Sequence, residues 1–179
     1  VLVYDPPLFD ILPMYVLFLA LTPAILRHAL EHGWRGLLAA SVVAWMLAQA
    51  GFARGLYEAF AAWTDFPVPY GATGAFSWMA WQLLWLLGLA TGWHMTRRTA
   101  PIAIPRALFT AALAVAVCGF VWRHAVGQAP FGADEVLNAW FDKWHLGPAR
   151  LVSFAALAIV CVGWCGQVRG VFALSETFR

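Results

Sequence analysis

The chain has 179 residues, of which 63% are hydrophobic and 11% charged, with 11 tryptophans and a formal net charge of +2. A water-facing domain carries roughly a quarter charged residues, so too few polar groups remain here to cover a globule in water, and the small charge offers no surface for nucleic acid. With a mean hydropathy of +0.73, the composition predicts an all-α protein crossing a lipid bilayer several times.

Five apolar segments appear in chain order, at residues 9–26, 36–52, 76–94, 107–122 and 151–168. The first holds Asp10 near its start, carries Pro13 and Pro23 as kinks or caps, and ends at Arg27. A polar turn, Arg27 to Arg35, leads to the second, which is the weakest because Gln49 and Arg54 shorten it. The third contains AWQLLWLLGLATGW and no charge before Arg97; the fourth lies between Arg106 and Arg123; the fifth lies between Arg150 and Arg169. At about 16–19 residues each, they sit near the lower limit for a spanning helix. They are apolar all round with charges at the ends, whereas a buried helix of a soluble bundle keeps a polar stripe.

With five spans, Arg27, Arg35, Arg97, Arg98, Arg106, Arg169 and Arg179 fall on one side, and Arg54, Arg123, Lys143 and Arg150 on the other. The side richer in Lys and Arg is the cytoplasmic one, which puts the start of the chain outside. The two long connections, Ala53 to Ala75 and Arg123 to Pro148, are then also outside. Their LYEAFAAW and ADEVLNAWFDKWHLGP stretches read as short amphipathic helices lying at the interface. Loops of this length are often functional; surface-lying linkers are the equal alternative. The absence of a leading Met and the apolar tail GVFALSETFR lead us to expect a single membrane domain cut from a longer protein, lacking first and last helices.

Cys118, Cys161 and Cys165 lie within spans as packing residues, too few for a metal site. A membrane haem needs histidines facing one another at mid-depth, but His28, His94 and His124 are at span ends and His32 and His145 in loops. His28 and His32 share a face only if the helix runs on through them. The spacings Gly51–Gly55, Gly88–Gly92 and Gly166–Gly170 permit close helix approach and read as packing.

Polar groups in or beside spans are costly and so more informative. Asp10 could act as a general base or orient one, Gln82 could bond a carbonyl or sugar hydroxyl, and Lys143 and Arg150, beside Asp142, could grip a carboxylate. The plain alternative is a helix cap at Asp10 and solvated interface charges at the others.

Three segments carry a resemblance. DPPLFDILPMYVLFLALTP, GAFSWMAWQLLWLLGLATGW and FDKWHLGPARLVSFAALA, with the late CGQ at Cys165 to Gln167, resemble in order the OpgC family, within the large group of membrane acyltransferases. The pattern departs at Val168. The resemblance implies O-acylation outside the cytoplasm: a succinyl group, with succinyl-coenzyme A as donor, transferred to hydroxyls of a periplasmic glucan at a bacterial inner membrane. It implies no bound cofactor or metal. Asp10, Gln82, Asp142, Lys143 and Arg150 carry over as supporting positions. Arg97, Arg98 and Arg106 would attract coenzyme A phosphates, and Trp63, Trp140 and Trp144 would stack on sugar rings, an interfacial belt being their alternative. The catalytic histidine of such enzymes has no counterpart in this chain and is expected before Val1. Two other classes stay open: a transporter or channel segment using Asp10 and the deep glutamines Gln82 and Gln49, and a non-catalytic assembly subunit using its glycine faces. Homo-oligomerisation is also open.

Overall fold

A computed structural model describes residues 11–72, 76–98, 102–126 and 131–177, with side chains for all of these except 126 and 165–177. Among the described residues there are seven α-helices, one 3-10 turn and no strand: α1 (Ile11–His32), α2 (Trp34–Gln49), α3 (Phe52–Thr64), the 3-10 turn (Tyr70–Ala72), α4 (Trp78–Thr96), α5 (Arg106–Val126), α6 (Glu135–Trp140) and α7 (Pro148–Thr177). They form two compact units. The first comprises Val1–Met95 with Lys143–Leu146, and the second Thr96–Asp142 with Gly147–Arg179.

The expected polar turn from Arg27 to Arg35 is helix for most of its length. α1 continues through His32 and stops only at Gly33, whose φ of +84° is open to glycine alone at little cost. Ala29 and Leu30 keep the apolar pattern going, and Ala29 is buried. His28 and His32 therefore do share a face, and their rings stack at 4.5 Å. Pro13 sits in the first turn of α1, where its missing N–H costs nothing, and Pro23 lies inside the helix without ending it.

The core of the first unit is made by Ala29, Trp34, Leu86 and Ala90, with Ile25, Leu38, Trp85 and Trp93 packed around them. Phe18 of α1 stacks on Trp85 of α4 at 4.9 Å. Only a stripe of each helix is consumed this way. On α1, Met14, Phe18 and Ala29 are buried while Leu12, Val16, Leu21 and Leu30 are exposed and Leu19 is 70% exposed. Apolar surface on this scale needs another apolar phase or partner to cover it.

Two helical stretches among the described residues, Ile11–His32 and Arg106–Ala125, are long and apolar enough to cross a membrane. α2 and α3 qualify only as a pair, bent by 75° at the break, like a broken span or a re-entrant loop. Length and composition thus mark two or three crossings. α4 has the length but is not among the stretches so marked. In α7 the apolar stretch Pro148–Trp164 is short. The bend after α2 is made at Gly51, in the left-handed region at φ +78°. α3 is amphipathic as expected. Phe52, Leu56, Phe60 and Trp63 stand exposed at helical spacing, and Arg54 pairs with Glu58 one turn on, at 2.7 Å.

The second unit is built on α5 against α7. Here glycines do permit close approach, but not at the expected spacings. A methyl at Gly119 would meet Ser153 Oγ at 2.9 Å, and one at Gly163 would meet the Phe109 ring at 2.7 Å. Gly51, Gly55, Gly88 and Gly92 face open space, and the side-chain surroundings of Gly166–Gly170 lie outside the described residues. The second long connection forms α6, capped by Asp134, whose carboxylate accepts from Leu137 N at 2.9 Å.

Candidate functional site

The residues of the FDKWHLGPAR segment fall into both units, and each part has its own geometry. Lys143–Leu146 belongs to the first unit. There its carbonyl groups are gripped by side chains of α2 and α4. Trp45 Nε1 donates to Leu146 O at 3.0 Å, Gln49 Nε2 to His145 O at 2.6 Å, and Trp81 Nε1 to Trp144 O at 3.2 Å. The Ser77 backbone N–H donates to the same Trp144 carbonyl at 3.0 Å. Phe76 meets the Trp144 ring edge-on at 5.0 Å, and Lys143 Nζ lies 3.7 Å from the centre of that ring. Trp144 is thus held by protein neighbours, whereas Trp63 and Trp140 are exposed, Trp63 by 83%.

Leu146 is the centre of this clamp. It is fully buried, and its φ of +50° is unusual for a branched side chain. Such a conformation persists only where its surroundings over-determine it, and burial with the Trp45 hydrogen bond does so here. The following Gly147 is required by space. A methyl there would run into the carbonyl oxygens of Ala139 and Trp140. Pro148 then takes the first position of α7, where its missing N–H is no loss and its fixed φ suits the helix. Each letter of LGP therefore has a physical task.

Beneath the clamp, Gln82 is fully engaged between α2 and α4. Its Oε1 accepts from Ser41 Oγ at 2.7 Å, and its Nε2 donates to Ser41 O at 2.9 Å and Met79 O at 3.2 Å. A half-buried primary amide between apolar helices is best satisfied internally, and Ser41, itself buried, does this.

Arg150 lies in the second unit, in the first turn of α7. It lines a cleft of about 240 Å³ between α5 and α7. The walls are Phe120, Trp122, Phe141, Phe154 and Leu157, the polar groups Arg123, Arg150 and Ser153. Trp122, Phe131 and Phe141 form one aromatic cluster, with Trp122 and Phe141 stacked at 5.4 Å. Arg150 Nε donates to Phe141 O at 2.7 Å, which fixes the plane of the guanidinium. Arg123, from the end of α5, lines the same cleft as Arg150. Arg123, counted in the sequence only as a span boundary, is thereby a site residue. The signal that could have found it is its pairing with Arg150 across two helix ends on the same predicted side.

Of the other expected positions, Arg97, Arg98 and Arg106 are exposed around the α4–α5 connection. Asp10 lies outside the described residues. Cys118 and Cys161 are exposed, and no group of three metal-ligating side chains occurs among the described residues.

The comparison with family models now decides the lineage. The model described as OpgC protein matches residues 1–173. The chain belongs to the OpgC family. All of the segments on which the resemblance rests, including Cys165 to Gln167, fall inside this match. Neither a curated protein nor a solved structure matches the chain.

Proposed function

We propose that this chain is part of the membrane domain of an O-acyltransferase that moves a succinyl group from succinyl-coenzyme A onto hydroxyls of periplasmic glucans. The observation that carries the reading is the family match over residues 1–173. The protein is placed in a bacterial inner membrane with the N-terminal end of this chain on the periplasmic side. α1, α2, α4, α5 and α7 are its five spans, and α3 lies in the interface with Phe52, Leu56, Phe60 and Trp63 towards lipid. Exposed Arg97, Arg98 and Arg106 meet the coenzyme A phosphates on the cytoplasmic side. Trp63 and Trp140, both exposed, offer faces to the sugar, and Asp10 supports the proton transfer.

The engagement of the deep glutamines weighs against the transporter reading. Gln82 is saturated by Ser41 and Met79, and Gln49 is bonded to His145 O. The Gln82 amide is thus not offered to a polar pathway, and the Gln49 nitrogen is turned to the chain's own backbone.

The test uses the full gene in a Gram-negative host that makes glucans but cannot succinylate them. Mass spectra of the purified glucans should show succinyl additions with the wild type and none with Asp10→Asn at equal membrane expression. Unmodified glucans despite well-expressed wild type would sink the proposal.

A further inference from the structure

The geometry points to the cleft between α5 and α7 as the seat of the acyl group's free carboxylate, gripped by Arg123 and Arg150 while its short chain lies against Phe120, Trp122 and Phe141. This assignment rests on the acyltransferase reading and names the part of the transferred acyl group that this cleft takes, on the outer side where that reading puts Arg123, Arg150 and the acceptor.

Three observations carry it. First, two guanidiniums face one cleft whose remaining wall is almost wholly apolar. Arg150 is half-buried and has lost part of its hydration, and the exposed Arg123 adds a like charge to the same cleft. An oxyanion between them removes both costs, and the fork of an arginine matches a carboxylate with two parallel hydrogen bonds. Second, Arg150 is pre-set for this. Its Nε is committed to Phe141 O at 2.7 Å, so the guanidinium plane is fixed before a ligand arrives. Arg123 forms no ion pair among the described residues. Third, the size fits. The cleft, about 240 Å³, has room for a short acyl chain with a terminal carboxylate.

An anionic lipid headgroup offers the same oxyanion chemistry, so the experiment separates the two sources. The full-length protein is purified in neutral detergent and titrated with monomethyl succinate, which has one free carboxylate and a short ester chain. Thermal unfolding reports binding, and dimethyl succinate serves as the uncharged control. Saturable stabilisation by the monoester alone is expected. Binding should be about tenfold weaker or worse in Arg123→Gln, a variant that breaks no ion pair among the described residues. Arg150→Lys, which keeps the charge and loses the fork, should also weaken it. The titration is then repeated in nanodiscs of zwitterionic lipid and of lipid with anionic headgroups.

Equal response to both esters, or no effect of Arg123→Gln, overturns the assignment. So does loss of monoester binding in anionic nanodiscs, which gives the cleft to lipid. Because binding is read without turnover, the two proposals fail separately. Glucans succinylated in cells by a protein that ignores the monoester would refute the carboxylate site and leave the transferase standing. A protein that binds the monoester but modifies no glucan would do the reverse.

Discussion

The clamp around Leu146 and the cleft beside Arg150 use neighbouring stretches of sequence for opposite purposes. In the clamp, polar groups are turned on one another. Trp45, Gln49 and Trp81 hold backbone carbonyls of the Trp144–Leu146 run, and Gln82 spends its whole amide on Ser41 and Met79. In the cleft, two cations, Arg123 and Arg150, line one largely apolar floor. The lesson is that a polar residue inside an apolar helix is no sign of chemistry by itself. The deeper it sits, the more completely the protein must satisfy it, and groups left for a ligand are the ones at helix ends.

That contrast can be broken at several strengths. The largest effect should come from Leu146→Ala. Deleting a fully buried side chain at a strained turn should cost about 3 kcal/mol, read as a clear fall in the unfolding temperature of the purified protein. A small loss would mean that the clamp is not a folding element. Next comes Gln82→Leu, which leaves Ser41 buried without its amide partner and should cost about 1–3 kcal/mol. Adding Ser41→Ala should recover part of that loss, since both polar partners are then gone; strict additivity in the double-mutant cycle would contradict the pairing. The smallest effect belongs to Gly88→Ala. Its added methyl meets nothing within 4 Å, and alanine is the better helix former by about 1 kcal/mol. Unchanged or slightly raised stability is expected. A marked loss would reveal another helix packed on this face and would favour the assembly-subunit reading.

Much of the architecture was legible because composition and charge placement are strong signals. The all-helical class, the amphipathic α3 and the short α6 followed from apolar runs and from the LYEAFAAW and ADEVLNAWFDKWHLGP stretches; the Asp134 cap of α6 was not read there. The end of α1 was misread because Arg27, His28, Glu31 and His32 look like a turn by polarity. The backbone goes on in a helix until Gly33 breaks it. The glycine spacings misled for a related reason. Spacing says which glycines share a face, but only the fold says whether a helix lies opposite, as Ser153 does for Gly119. In the candidate site, Arg150 was found by its company with Asp142 and Lys143. Arg123 was missed because a cation after an apolar run normally marks a membrane boundary. Its neighbour across the cleft comes from another helix, at a sequence distance that no local pattern reports.

The most direct test compares Gln82→Leu with Arg123→Gln in the full-length protein, measuring succinyl groups per glucan divided by the amount of folded protein. Gln82→Leu should yield less folded protein with unchanged transfer per molecule. Arg123→Gln should yield a normal amount with transfer lowered about tenfold or more. The reverse pattern, in which Gln82→Leu silences a well-folded protein and Arg123→Gln transfers normally, would contradict the division between clamp and cleft.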